Sequence, residues 1–146
     1  MKFTELFTEY ASRVPGEQQE QILAALPVRA KEIGVRVWKP GDPIPSHGRR
    51  LLIGVTQWSR DDLEVLDAVC EVVKGDQLDM FILGECKSQA EIEDYVPGVG
   101  PVFQSPVVGV WEDGILVDKG SGWEAKQLLA RHGVLNPAPR RKSASA

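Results

Sequence analysis

The stretch LLIGVTQWSRDDLEVLDAVCEVV, residues 51–73, reads as a strand running directly into a helix. Leu51 to Val55 is a compact apolar run, too short for a buried helix and bounded by polar or turn-forming residues, which favours a buried strand. Ser59 and Asp62 then make an S-x-x-D capping signature. Beyond it Leu63, Leu66, Val69, Cys70 and Val73 fall on one helical face, and Val65, Ala68 and Val72 widen that face as packing against a sheet requires. Gly75 can close the helix.

Working outward, the same alternation continues. Leu78 to Leu83 is the next strand, and Ser88 with Glu91 forms a second capping box for a helix through Tyr95, ended by Pro97-Gly98. Pro106 to Trp111 reads as a strand, and Asp113-Gly114 is a two-residue hairpin signal into Ile115-Leu116-Val117. Gly120 and Gly122 break the chain before a last helix, Trp123 to His132, with Gly133 just past its end. Two strands joined by a helix of more than a dozen residues form a parallel, right-handed βαβ unit, and the hairpin adds antiparallel strands at an edge.

Upstream, Phe3, Leu6, Phe7 and Tyr10 and then Ile22, Leu23 and Leu26 recur at helical spacing on either side of Pro15-Gly16. Pro27 is expected to end or kink the second helix, Gly34 to stop it, and Val35 to Trp38 to form a short strand. The run from Lys39 to Arg50, rich in Pro and Gly, is a connection. The expected organisation is an N-terminal helical extension over residues 1–34, an α/β domain over 35–136 and a disordered basic tail over 137–146. The aromatic stripe of Phe3, Phe7 and Tyr10 is either core or a homodimer contact.

Composition narrows the function. The 146 residues carry 17 Lys and Arg against 21 Asp and Glu, and this net charge of -4 gives no general reason to expect a nucleic-acid partner. Residues 35–136 hold 10 basic and 16 acidic groups, whereas Arg140, Arg141 and Lys142 sit in an acid-free tail. Two cysteines with no C-x-x-C spacing do not make a disulfide framework, and no apolar run is long enough for a signal peptide or a membrane span. A reducing, cytoplasmic location is the expectation. His47 and His132 lack partners at metal-ligand spacing and are expected to face solvent, and the glycines of PGVGP lack phosphate-loop spacing. No cofactor is implied.

From Arg49 to Gly133, about 85 of the 146 residues, the order of elements resembles the thioredoxin-like superfamily. Gln57-Trp58 stands after the first long strand, where that family places a tryptophan before Cys-x-x-Cys. Ser105-Pro106 opens the strand after a glycine-containing loop, at the place of the family's cis-proline, and VVGVWEDGILVDKGSG resembles its hairpin. The resemblance implies a central mixed sheet flanked by helices. It also puts Ser59 at the attacking cysteine, Asp62 at the resolving cysteine and Ile53 at the buried acid, so dithiol exchange, which needs a helix-terminal thiolate and a second thiol, is not expected. KPGDPIPS similarly resembles the lead-in of peroxiredoxins, but no peroxidatic cysteine follows.

The implied function is non-catalytic: a protein-interaction or assembly module whose groove comprises Gln57, Trp58, Ser59, Arg60, Asp61, Ser105 and Pro106, with Pro106 cis and the Ser105 backbone open to an extended peptide. Ser59, Asp61 and Asp62 are equally explained as helix caps and dipole-compensating acids. A rival enzyme reading is monothiol redox or glutathione chemistry through Cys86, which sits beside Lys87 before a helix cap, although an inert thiol is the favoured reading of that residue. A third is a small-ligand or assembly factor assisted by the basic tail. Cys70 reads as a small buried hydrophobe.

Overall fold

The computed structural model describes residues 1–12, 14, 16–73 and 77–135; the expectations placed on Pro15, on Gly75 and on the tail from 137 lie outside these residues. The elements are α1 (Glu5–Glu9), α2 (Glu17–Ile33), β1 (Arg36–Val37), β2 (Arg49–Val55), α3 (Arg60–Val72), β3 (Leu78–Ile82), α4 (Gln89–Tyr95), β4 (Val107–Glu112), β5 (Ile115–Ser121) and α5 (Trp123–Arg131). They build an α/β fold around one five-stranded mixed sheet in the order β1-β3-β2-β4-β5. β3 is parallel to both β1 and β2, while β4 is antiparallel to β2 and β5 is antiparallel to β4.

Alternation along the strands divides the core in two. Leu51, Ile53 and Val55 of β2, Leu78, Met80 and Ile82 of β3, and Val108 and Val110 of β4 face one side, which α1, α2, α3 and α5 cover. Leu52, Phe81, Val107 and Trp111 face the other, packed with Tyr95 and Val96 at the end of α4 and with Trp38. Glycines make that second face possible: a Cβ on Gly54 would lie 2.2 Å from the Phe81 ring, which stacks on Tyr95 at 4.2 Å. Beside them Asp79 of β3, fully buried, pairs with Arg50 at 2.6 Å and with Arg36 at 3.2 Å. Trp38 completes the cover by packing against Trp111 at 5.6 Å.

The N-terminal helices belong to the first core. Phe3, Leu6, Ile22, Leu26 and Ala30 are all essentially without solvent exposure, and Phe7 and Tyr10 pack against them, so the aromatic stripe is turned into the chain's own interior. The buried Arg29 clamps this segment, with Nη2 donating to both Glu9 carboxylate oxygens at 2.7 Å and Nη1 donating to the Lys2 carbonyl at 2.5 Å. Asp67 of α3 accepts from the Phe3 and Thr4 backbone at 2.6 and 3.2 Å.

Four local expectations are corrected. α2 runs unbroken through Pro27 to Ile33, because Pro27 lies on the solvent side, where the lost hydrogen bond is least costly. Val72 is 60% exposed and does not widen the apolar face of α3. Gly120 does not break the chain but lies inside β5, which pairs with β4 as far as Ser121. His132 is half-buried, its Nε2 2.9 Å from Asp118 Oδ2, rather than facing solvent. Burial alone would raise the Asp118 carboxyl, but hydrogen bonds from His132, Arg131 and the Lys119 N–H outweigh it and hold the group below its usual range.

Among the described residues, no helix is long and apolar enough to cross a membrane.

Candidate functional site

A surface cleft of about 640 Å³ opens where the parallel strands β2 and β3 end and the antiparallel β4 begins. Sheet ends of this kind are where α/β folds place ligands, because loops there diverge from a rigid scaffold. Thr56 and Trp58 enter the cleft directly after β2, Leu83 directly after β3, and Ile92 from α4. The loop Val102-Phe103-Gln104-Ser105 forms one wall before β4, and Gly122, Trp123 and Lys126 form another at the start of α5. Gly122 is required there: its φ is +58°, and a Cβ would sit 2.9 Å from the Gln104 Cβ, so a side chain would push the two walls apart.

The turn from β2 into α3 is held by its own capping groups. Ser59 Oγ accepts from the Asp62 N–H at 3.2 Å, which caps α3. Asp62, fully buried, accepts in return from the Thr56 N–H at 2.8 Å and the Thr56 hydroxyl at 3.0 Å through Oδ2, tying the end of the strand to the first turn of the helix. The missing side chain of Gly84 makes room for the Gln57 amide and brings the Trp58 ring down onto the turn Leu83–Glu85. Asp62 Oδ1 and Gln57 Oε1 are buried with no partner among the described residues. Trp58 is fixed along one edge and remains 53% exposed.

The residues singled out from the sequence therefore separate. Trp58, Asp61 and Ser105 line the cleft. Gln57 and Pro106 are buried next to it, and the Ser105–Pro106 peptide bond is cis. Ser59 acts as the cap just described. Arg60 turns away, its guanidinium 5.0 Å over the Phe7 ring, and so contributes to holding α1 rather than to the cleft. Cys86 does not line the cleft; its side chain packs against the second core cluster. Burial pushes its thiol up to about 11, and Glu91, Glu85 and Asp94 add to the effect, the reverse of what a reactive cysteine needs. Cys70 is likewise raised to about 11 by burial and by Asp67.

Sequence reading missed Phe103 and Trp123, which are 91% and 60% exposed on opposite walls. Both left a trace. Phe103 is a lone aromatic in a loop with no periodic apolar partner, and Trp123 lies off the face defined by Ala125, Leu128 and Leu129. Three aromatic side chains thus edge one cleft, with Leu83, Ile92 and Val102 between them. Along the wall, the backbone N–H and C=O groups of Phe103, Gln104 and Ser105 make no hydrogen bond to any described residue. The pairing of β4 starts only at Val107, with the Pro106 carbonyl accepting from the Gly122 N–H at 2.8 Å.

Compared with family models, curated proteins and solved structures, the chain matches none.

Proposed function

We propose that this chain is a thioredoxin-like module without thiol chemistry, which binds an extended segment of a partner protein in the cleft between Trp58, Ser105 and Trp123. The observation that carries this reading is the conjunction of three exposed aromatic rings with a stretch of backbone from Phe103 to Ser105 that is unpaired among the described residues. Exposed rings of this size are uncommon on a surface with no occupant, and rigid aromatics contribute binding area at little entropic cost. Unpaired N–H and C=O groups beside them let a peptide add its own main-chain hydrogen bonds, as an extra strand does at an exposed sheet margin. The strand order β1-β3-β2-β4-β5 and the tryptophan after β2 accord with the family resemblance.

Catalysis through Cys86 draws no support from its surroundings, since the thiol is raised to about 11 and lies outside the cleft. The test is selection of linear peptides from a displayed random library on the purified chain, followed by affinity measurement on Trp58→Ala. Loss of Trp58 is expected to weaken the selected peptides by about tenfold or more, the usual effect of truncating a central aromatic anchor. Equal affinity for the variant would move the binding surface elsewhere.

A further inference from the structure

Two charged side chains line the cleft, Asp61 on the first turn of α3 and Lys126 on α5, and each is engaged by the other, with Nζ 2.5 Å from Oδ2. Every other lining side chain is neutral. The pair spans the gap that the indoles edge: Trp58 lies three residues before Asp61, and Trp123 lies three residues before Lys126 on the same helical face. A neutral side chain entering the cleft leaves this pair intact. A cationic one must compete with Lys126 for Asp61, an anionic one must compete with Asp61 for Lys126, and either also loses hydration among aromatic rings.

Resting on the binding reading above, the geometry points to a specificity device. The Asp61–Lys126 pair cancels the charge of the cleft and selects an extended peptide segment whose anchoring residue is neutral and apolar, such as Leu or Phe, while rejecting Lys, Arg, Asp and Glu at that position. Neutralisation makes the site an apolar slot with a hydrogen-bonding wall rather than an ion-pairing one. Because Asp61 is 57% exposed and Lys126 31%, water screens part of the effect. Unmasking one charge is therefore expected to shift relative affinities by about three- to tenfold, not by orders of magnitude.

The probe is the best nonapeptide selected on the full chain, terminally blocked, synthesised with Leu, Phe, Lys or Glu at its anchoring position. Affinities are measured for the wild type, Lys126→Met, Asp61→Asn and the double variant, each first shown to unfold at the wild-type midpoint. The wild type should rank Leu and Phe above Lys and Glu. Lys126→Met, which leaves Asp61 uncompensated, should raise the Lys peptide relative to the Leu peptide about three- to tenfold. Asp61→Asn should do the same for the Glu peptide, and the double variant should return to the neutral ranking. A wild type that prefers Lys or Glu, or single variants that keep the wild-type ranking, would overturn the specificity device while leaving peptide binding in place. If no peptide is enriched on the wild type over Trp58→Ala, the binding reading itself fails and the inference falls with it.

Discussion

A thiol reacts as its thiolate, and the surroundings of Cys86 oppose ionisation from every side: burial first, then the carboxylates of Glu91, Glu85 and Asp94. With the thiol held near 11, the thiolate fraction at pH 7 is on the order of one in ten thousand. The sign follows directly. Alkylation of Cys86 by iodoacetamide should be slow at neutral pH and rise about tenfold per pH unit until the pH approaches 11. A rate that levels off near pH 8 would mean an ordinary or activated thiol and would reopen the redox reading. The neighbouring Lys87 made activation plausible in the sequence, because adjacency along the chain says nothing about which side chain faces the sulfur. The Lys87 backbone N–H in fact donates to Glu91 at 2.6 Å, holding that acid on the same turn. Trp58 and Ser105, which line the cleft, were singled out only through the family resemblance and not from any local signal. Phe103 and Trp123 were not singled out at all, because nothing local shows that a loop and a helix start about twenty residues apart close on one another.

Elements whose signals are local formed as their residues dictate. Ser59 caps α3, Ser88 Oγ accepts from the Glu91 N–H at 3.3 Å to cap α4, and Asp113 and Gly114 both take positive φ to turn the β4–β5 hairpin. Departures arose where tertiary contact decides. β5 extends through Gly120 because β4 supplies a partner strand on one side and α5 packs closely on the other, with the Ala125 N 3.4 Å from where a Cβ would stand. The cap of α3 has a consequence beyond helix stability, since the same turn carries Trp58 and Asp61. Ser59→Ala should lower the free energy of unfolding by about 1 kcal/mol, measured by urea titration. In Ser59→Thr, which keeps the accepting oxygen, most of that loss should disappear. Equal destabilisation by both would assign Ser59 to packing rather than to capping.

At the scale of the whole molecule, the division between an N-terminal extension and a separate domain bears directly on what holds the sheet together. Four helices share one face of it, and Phe3 just before α1, Leu6 of α1 and Ile22, Leu26 and Ala30 of α2 join the same cluster as Ile53, Leu66 and Met80. The opposite face carries only α4 among the described helices, and its cover is completed by Trp38, Trp111 and the buried Asp79 with its two arginines. Removing residues 1–33 would therefore uncover apolar side chains in the centre of the molecule, and would leave Asp67 without the Phe3 and Thr4 N–H groups it accepts from. Each fully buried Leu, Ile or Phe side chain contributes about 1.5–3 kcal/mol by burial, so losing Phe3, Leu6, Ile22 and Leu26 alone approaches the whole stability of a domain this size. A chain beginning at Gly34 should lose cooperative urea unfolding and near-ultraviolet dichroism while binding a hydrophobic dye. Were that shortened chain to unfold cooperatively with native-like dichroism, the helices would be an appended segment and their buried faces free for another partner. The expected collapse instead assigns both helices to the scaffold that holds the sheet.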